Sequence, residues 1–386
     1  MLLLLVIIYF AFISLGLPDA VLGASWPMMH QDLGVGVEYA GAVALLISVG
    51  TVLSSLLTVT LIKRFGVGLV VAGSVALTAM ALIGFSQSHG LLGLMLLSIP
   101  LGLGAGAVDS ALNNFVATHY ESKHMNYLHS FWGVGATSGP LLMANYLLIQ
   151  EGWRDGYQLL GGIQFTLVVV LFAALPLWKK AVDVTVDDSD ESTAPLGNRA
   201  VLSIAGVKIQ MLMFFCYCAI ELGAGLWAAS FLIAEKGAFA DVAALWVAIY
   251  YGGITAGRFL CGAIADRLNE ALMIRVGALL ILAGAVLLLL PIGGLLPNLG
   301  LLLIGLGCAP VFPNTLHLTP ARFGKRASQA IISVSMATAY IGNTLVPPTM
   351  GIVLKGISFA AFPYLLFFFA LILWWTTERL NKYERS

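Results

Sequence analysis

Charge is scarce in this chain. Asp, Glu, Lys and Arg make up 10% of its 386 residues, while 60% are hydrophobic. Soluble domains average about 25% charged and about 45–50% apolar. So few charges cannot clothe a water-exposed globular surface, and the ordinary soluble classes are excluded. The 19 basic residues are balanced by 19 acidic ones, so no basic surface is on offer and no nucleic-acid partner is expected. Lys and Arg are also missing ahead of the first apolar run, and no short apolar region there ends in a small-residue cleavage site. The amino terminus is therefore read as a membrane span rather than a signal peptide.

Cysteine is rare as well. Cys216, Cys218, Cys261 and Cys308 all fall inside apolar segments. Cys216 and Cys218 are two apart and point to different faces of a helix. They read as small buried hydrophobes rather than as metal ligands or disulfide partners. Alternation with period two, the mark of a membrane barrel, is absent. No nucleotide-binding loop, metal cluster or nucleophile constellation occurs, so no enzymatic activity, metal or cofactor is expected. Nor is there an added soluble domain for ATP use.

What the chain does have is long apolar runs, repeatedly exceeding the ~20 residues that cross a bilayer as helix. Breaks in hydrophobicity divide them into twelve spans: 2–29, 39–62, 67–87, 91–118, 126–150, 157–178, 207–234, 242–264, 271–291, 293–318, 328–354 and 357–377. The one long polar interruption, 179–206, carries Asp183, Asp187, Asp188, Asp190 and Glu191 and reads as a solvated linker. The expected organisation is an all-α membrane protein with an N-terminal six-helix bundle (1–178), a cytoplasmic linker (179–206) and a C-terminal six-helix bundle (207–386). Putting both termini in the cytoplasm leaves only Arg154, Lys236 and Lys355 of the 19 basic residues outside, as the positive-inside rule requires. The expected location is the plasma (inner) membrane.

The two halves look like copies. "GLGAGAVDSALN" from Gly102 resembles "GLGCAPVFPNTL" from Gly305, Gly135 and Pro140 are spaced like Gly342 and Pro347, and "ASW" at Ala24 matches "ASF" at Ala229. Three matches in order at nearly one offset argue for a parallel repeat, an arrangement that carries its substrate site near the midplane. Pro310, Pro313, Pro347 and Pro348 are candidate kinks, because each removes a helical hydrogen bond.

Three acids lie inside spans: Asp19, Asp109 and Glu221. An intramembrane charge costs at least ~2.5–3.5 kcal/mol and is a functional candidate by default. No Lys or Arg is expected at their depth, so burial should favour the protonated, neutral form. A carboxyl that exchanges its proton and meets alternate sides of the membrane is what proton coupling requires. Asp109 and Asn113 are four apart and share a helical face. Trp26 follows Asp19 by seven residues, and the fifth span opens with "HSFWGVG", which contains His129 and Trp132. Trp227 lies beyond Glu221, and Asn314 and Asn343 occupy the tenth and eleventh spans. Amides and carboxylates beside aromatic faces suit a polyhydroxylated ligand, the amides bonding adjacent hydroxyls and the rings covering C–H faces. His129 and His317 sit near the cytoplasmic ends and read as interfacial.

These features resemble the major facilitator superfamily. "GRFLCGAIADRL", 257–268, is similar to its loop motif between helices 8 and 9. The resemblance implies a cytoplasmic gate in which Gly262 permits close packing and Asp266 caps a helix or pairs with Arg258 or Arg267. The first-half counterpart, "LLTVTLIKRFG", keeps Lys63, Arg64 and Gly66 but lacks the acid. Within the superfamily the chain resembles the fucose–galactose–glucose proton symporter family. Asp19 falls at the acid of its first helix. Asp109 and Asn113 fall at an acid followed four residues later by Asn, with Asp for the usual Glu and Asn114 for a common Pro. Glu221 and Trp227 match its Glu-then-Trp seventh helix. The segments Phe312 to Asn314 and Gly342 to Gly351 match "FPN…G" and "G…PP…G".

The resemblance implies a monomeric secondary transporter that moves a sugar or related polyol with protons by alternating access. Asp19 and Asp109 would then couple, and Asn113, Trp26, Trp132, Glu221, Trp227, Asn314 and Asn343 would bind substrate. Sodium coupling stays open, since carboxylates, carbonyls and amides also cradle a hard cation. A proton-coupled drug or metabolite exporter of the same fold is the alternative.

Overall fold

The computed structural model describes residues 2–120, 122–149, 152–182, 198–264, 267–291 and 295–382. Among them the regular structure is helical throughout. In chain order the helices are α1 (Leu2–Asp19), α2 (Val21–Asp32), α3 (Tyr39–Phe65), α4 (Val67–Ser86), α5 (Leu91–His119), α6 (Ser122–Tyr146), α7 (Gly152–Ala173), α8 (Leu175–Val182), α9 (Asn198–Ser203), α10 (Val207–Lys236), α11 (Ala240–Ile264), α12 (Glu270–Leu289), α13 (Leu295–Phe323), α14 (Lys325–Gly356) and α15 (Ala361–Leu380). Among the described residues, eleven segments are long and apolar enough to cross a membrane, α1 and α2 counting as one. Helix α6 is long enough at 25 residues but more polar, because it carries His, Ser, Asn and Trp side chains. With it the spans number twelve. Leu56, Leu92, Val169, Leu295 and Ile352 stand on the outside of these helices, an apolar surface that calls for a lipid solvent.

The chain forms two compact units: Met1–Asp188 with Ala238–Ala248, and Ser189–Gly237 with Ile249–Ser386. The segment Ala238–Ala248 thus groups with the first-half helices, across the boundary drawn from the sequence.

The first span is not one helix. It breaks at Ala20, between α1 and α2. Pro18 is the physical reason: it has no N–H to give to the carbonyl of Ser14, and its ring crowds that carbonyl. The freed carbonyl is satisfied from another helix, by Gln164 Nε2 of α7 at 2.7 Å, while Gln164 Oε1 accepts the Thr78 hydroxyl of α4 at 2.8 Å. Gln164 is 1% exposed. Gln164→Leu should therefore leave the Ser14 carbonyl without its donor, while the Thr78 hydroxyl keeps its bond to Val75 O, and cost about 1–3 kcal/mol, visible as a lower unfolding temperature.

Close helix approach is built on glycine. A Cβ on Gly16 would overlap the carbonyl of Trp132, and one on Gly135 or Gly139 would overlap the carbonyls of Ile13 or Leu17, so α1 and α6 touch backbone to backbone. The same device recurs in register in the two units. A Cβ on Gly102 would overlap Ile47 O, and one on Gly305 would overlap Tyr250 O; one shift along the chain carries both members of the first pair onto the second. That shift also carries Gly104, which abuts Ser74 and Thr78, onto Gly307, which abuts Gly277 and Ile281. The internal repeat is thus a repeat of contacts as well as of letters. It also sets the register of the first spans: Gly135 meets Ile13 and Gly16 where Gly342 meets Phe215 and Cys218. Three residues further on in each helix stand Asp19 and Glu221.

At the end of the first unit holding the α2 carboxyl terminus, Arg154 Nη2 pairs with Asp32 at 2.9 Å and Nη1 reaches Ser86 O and Ser88 O. The guanidinium also lies over the Trp153 ring at 4.2 Å. In the second unit Lys236 Nζ donates to Leu290 O at 3.0 Å. Both are basic residues expected on the outer side, and each secures its helix end to a neighbouring connection.

The linker departs from expectation at its carboxyl end. Residues 183–197 lie outside the described set, but 198–206 are not simply solvated. Val201 of α9 is fully buried and clusters with Val207, Ala327 and Ile331, because this short stretch carries an apolar side that docks on α14. The cysteines are free: Cys216, Cys218 and Cys308 are buried as expected, whereas Cys261 is only half-buried.

Candidate functional site

Each unit presents its own set of polar groups. In the first, the break at Ala20 leaves Asp19 at the last position of α1, exposed rather than sealed in helix packing. The α1–α6 glycine seam brings Trp132 to it, and the indole Nε1 donates to Asp19 Oδ2 at 2.7 Å. Asp109, half-buried in α5, accepts at Oδ1 from Asn113 Nδ2 at 2.9 Å, and the same amide also donates to Asp109 O at 2.9 Å. The four-residue spacing brings this pair together as predicted.

Trp26 takes another course. Its side chain is fully buried, with Nε1 donating to Val37 O at 2.6 Å.

In the second unit Glu221 sits midway along α10, and Arg258 of α11 reaches it, Nη2 to Oε1 at 3.4 Å, with the two side chains only 15% and 12% exposed. This corrects the expectation that no basic residue shares the depth of the acids. Arg258 lies more than a turn inside its helix, and a long stem lets its head travel. Tyr217, four residues before Glu221 on the same face, lies beside both members of the pair. Tyr250 donates its hydroxyl to Glu221 O at 2.9 Å, and Cys308 of α13 completes the surround. The sequence reading missed Tyr217, Tyr250 and Cys308. The Tyr217–Glu221 spacing is a signal that could have found the first.

Trp227 is fully buried, with Nε1 donating to Pro347 O at 2.8 Å, and its ring covers Gly351. The structure gives both Trp26 and Trp227 a packing role. Asn314 and Asn343 behave differently. Asn314 Nδ2 on α13 and Asn343 Oδ1 on α14 are buried and have no hydrogen-bond partner among the described residues. One is a donor and the other an acceptor, and a hydroxyl group can answer both.

The gating residues drawn from the loop motif fare unevenly. Arg258 is engaged by Glu221 inside the unit. Gly262 is exposed, and a Cβ there would meet nothing within 4 Å; the close approach occurs at Gly257, against the Ala309 side chain. Arg267 is exposed, and Asp266 lies outside the described residues. His317 pairs with Glu270 at 2.6 Å.

Comparison with known proteins bears on this helical architecture directly. Residues 8–347 match the profile of the Major Facilitator Superfamily. The chain belongs to the Major Facilitator Superfamily. As a member it is a multi-pass membrane transporter, not an enzyme. Among relatives, the glucose/mannose transporter GlcP of Bacillus subtilis is 24% identical over 267 residues, covering 67% of this chain and 65% of that one. The chain thus matches just under two thirds of that relative's length. Bypass of stop codon protein 6 of Saccharomyces cerevisiae is 21% identical over 386 residues, covering 92% and 77%. Solved structures share the facilitator fold. A mutant of the nucleoside transporter NupG has a TM-score of 0.77 at 12% identity, with 98% of each chain covered. A D-xylose-proton symporter has 0.73 at 14% identity, with 96% of each covered.

Proposed function

We propose that this facilitator carries a sugar or related polyol across the membrane together with protons, by alternating access. The observation that carries the sugar reading is the pair of buried amide atoms on neighbouring helices, a donor of Asn314 and an acceptor of Asn343, that have no partner among the described residues. Buried polar atoms are costly without partners, and a hydroxylated ligand supplies a partner to each. The B. subtilis relative is a glucose/mannose transporter, which points the same way. In this reading Asn314, Asn343 and Glu221 are the second unit's hydrogen-bonding groups for the sugar, and Asn113 and Trp132 are the first unit's own candidates for substrate contact. Asp19 and Asp109 exchange the coupling proton: each accepts from a neutral donor, an indole for Asp19 and an amide for Asp109, and such a donor tolerates either protonation state. Trp26 and Trp227 act by fixing helices.

Counterflow in proteoliposomes tests the substrate class. Labelled D-glucose, an amino acid mixture and a cationic drug are offered in turn to the reconstituted protein. Exchange of the sugar alone is expected. Exchange of the drug alone would instead establish the exporter alternative, and sugar accumulation driven by a sodium gradient at equal pH would replace protons by sodium.

Topology is checked separately. A reporter fused after Ser386 or inserted at 185–195 should read cytoplasmic, and one at Arg154 or Lys355 should read external. An external reading at 185–195 would overturn the twelve-span map.

A further inference from the structure

The contact repeat makes Asp19 and Glu221 equivalent positions of the two halves. Gly135 meets Ile13 and Gly16 as Gly342 meets Phe215 and Cys218, and each acid follows three residues later. Their surroundings are not equivalent. Asp19 receives a neutral indole N–H at 2.7 Å. Glu221 receives a guanidinium, with Arg258 Nη2 3.4 Å from Oε1. The titratable and charged groups facing Glu221 are Tyr217 and Cys218 on α10, Tyr250 and Arg258 on α11, and Cys308 on α13. Among these Arg258 alone is a cation. Burial opposes removing the proton from a carboxyl in a dry site and an adjacent opposite charge favours it; a guanidinium, which keeps its charge, in turn needs a carboxylate beside it when both are buried, as Arg258 and Glu221 are.

We propose that Arg258 sets the proton count of this transporter: it holds Glu221 as a fixed carboxylate within a neutral pair and so leaves proton exchange to the first-half acids. The inference rests on the proton-coupled reading above. Arg258 acts as a positioning residue, not as part of a loop gate. It also gives the second half a permanent acceptor for a substrate hydroxyl at the point where the first half has a proton carrier. The repeat supplied two acids, and one basic side chain on the neighbouring helix divided their duties.

The test has two arms, so that failure of this proposal and failure of the sugar reading stay distinct. The first needs no substrate. Full-length protein is reconstituted in liposomes and titrated from acid to alkaline pH, while the infrared C=O stretch of protonated carboxyl groups is followed. The wild-type titrating band should lose intensity in Asp19→Asn and Asp109→Asn but not in the double variant Glu221→Gln/Arg258→Gln. Arg258→Gln should gain one titrating carboxyl, and Arg258→Lys should not. Loss of wild-type band intensity in the double variant would overturn the proposal. That comparison also decides the matter if Arg258→Gln fails to fold, because the double variant buries no unpaired charge.

The second arm measures D-glucose accumulation under an imposed pH gradient. The double variant should keep the wild-type accumulation ratio while its half-saturation concentration rises about tenfold or more, as expected when one hydrogen bond to a charged group is lost. An altered ratio in the double variant would assign a proton to Glu221 and sink the proposal. If the wild type carries no D-glucose, the sugar reading fails and the infrared arm still decides the role of Arg258.

Discussion

Asp109→Asn protein is expected to equilibrate D-glucose across the membrane without concentrating it. Each pH unit across the bilayer supplies about 1.4 kcal/mol per proton, a tenfold accumulation. A one-unit gradient should therefore give wild-type vesicles about a tenfold ratio for one coupled proton, falling to unity in the variant. The substitution is conservative in the way that matters. Asp109 Oδ1 accepts from Asn113 Nδ2 at 2.9 Å, and the amide oxygen of Asn can accept the same bond. Shape and local pairing survive, while the titrating group is lost. Counterflow, which needs no net proton movement, should persist. The same comparison applies to Asp19→Asn, whose amide oxygen can still take the Trp132 indole N–H. Wild-type accumulation in both variants would exclude these carboxylates as the coupling site.

The second large effect is on folding. Gly102→Ala and Gly305→Ala should each lower stability by ~3 kcal/mol or more, at or beyond the upper end of ordinary overpacking costs. The added methyl would overlap a backbone carbonyl, Ile47 O in one unit and Tyr250 O in the other. Backbone cannot rotate aside as a side chain can. The helix pairs α3–α5 and α11–α13 would have to separate along their length. The control is a glycine with room: Gly73 and Gly162 have no atom within 4 Å of a Cβ. Alanine at either should be neutral or better, since it favours helix by about 1 kcal/mol. Thermal unfolding followed by size-exclusion chromatography measures all four. A marked inequality between the Gly102 and Gly305 variants would argue against the contact repeat.

The sites divide according to whether the interacting residues share a helix. Asp109 and Asn113 were legible because helical spacing alone brings them together. The close-packed glycines were legible as enrichment, and their repeat as three short matches. The partners of Asp19 and Glu221 were not legible. Trp132 is separated from Asp19 by the intervening spans, and Arg258 stands, by its sequence, in a loop motif near the end of its helix. Which indole or guanidinium reaches which carboxyl depends on helix rotation and on side-chain length, and neither is a property of a window of sequence.

Scarcity of charge and apolar run length determined by themselves that this is a helical multi-pass membrane protein, and three short matches in order revealed its repeated half. A bilayer leaves a chain of this composition no other way to satisfy its backbone. The acids at 19, 109 and 221 were also conspicuous from composition, since an intramembrane carboxyl is costly wherever it lies. Tertiary structure alone decided how each acid is answered. It broke the first span at Ala20 and satisfied the freed Ser14 carbonyl with Gln164. It set an indole against Asp19 and a guanidinium against Glu221, and it left one amide atom each on Asn314 and Asn343 without a partner among the described residues. These pairings form between helices distant in sequence, where packing geometry, not local periodicity, selects the neighbour.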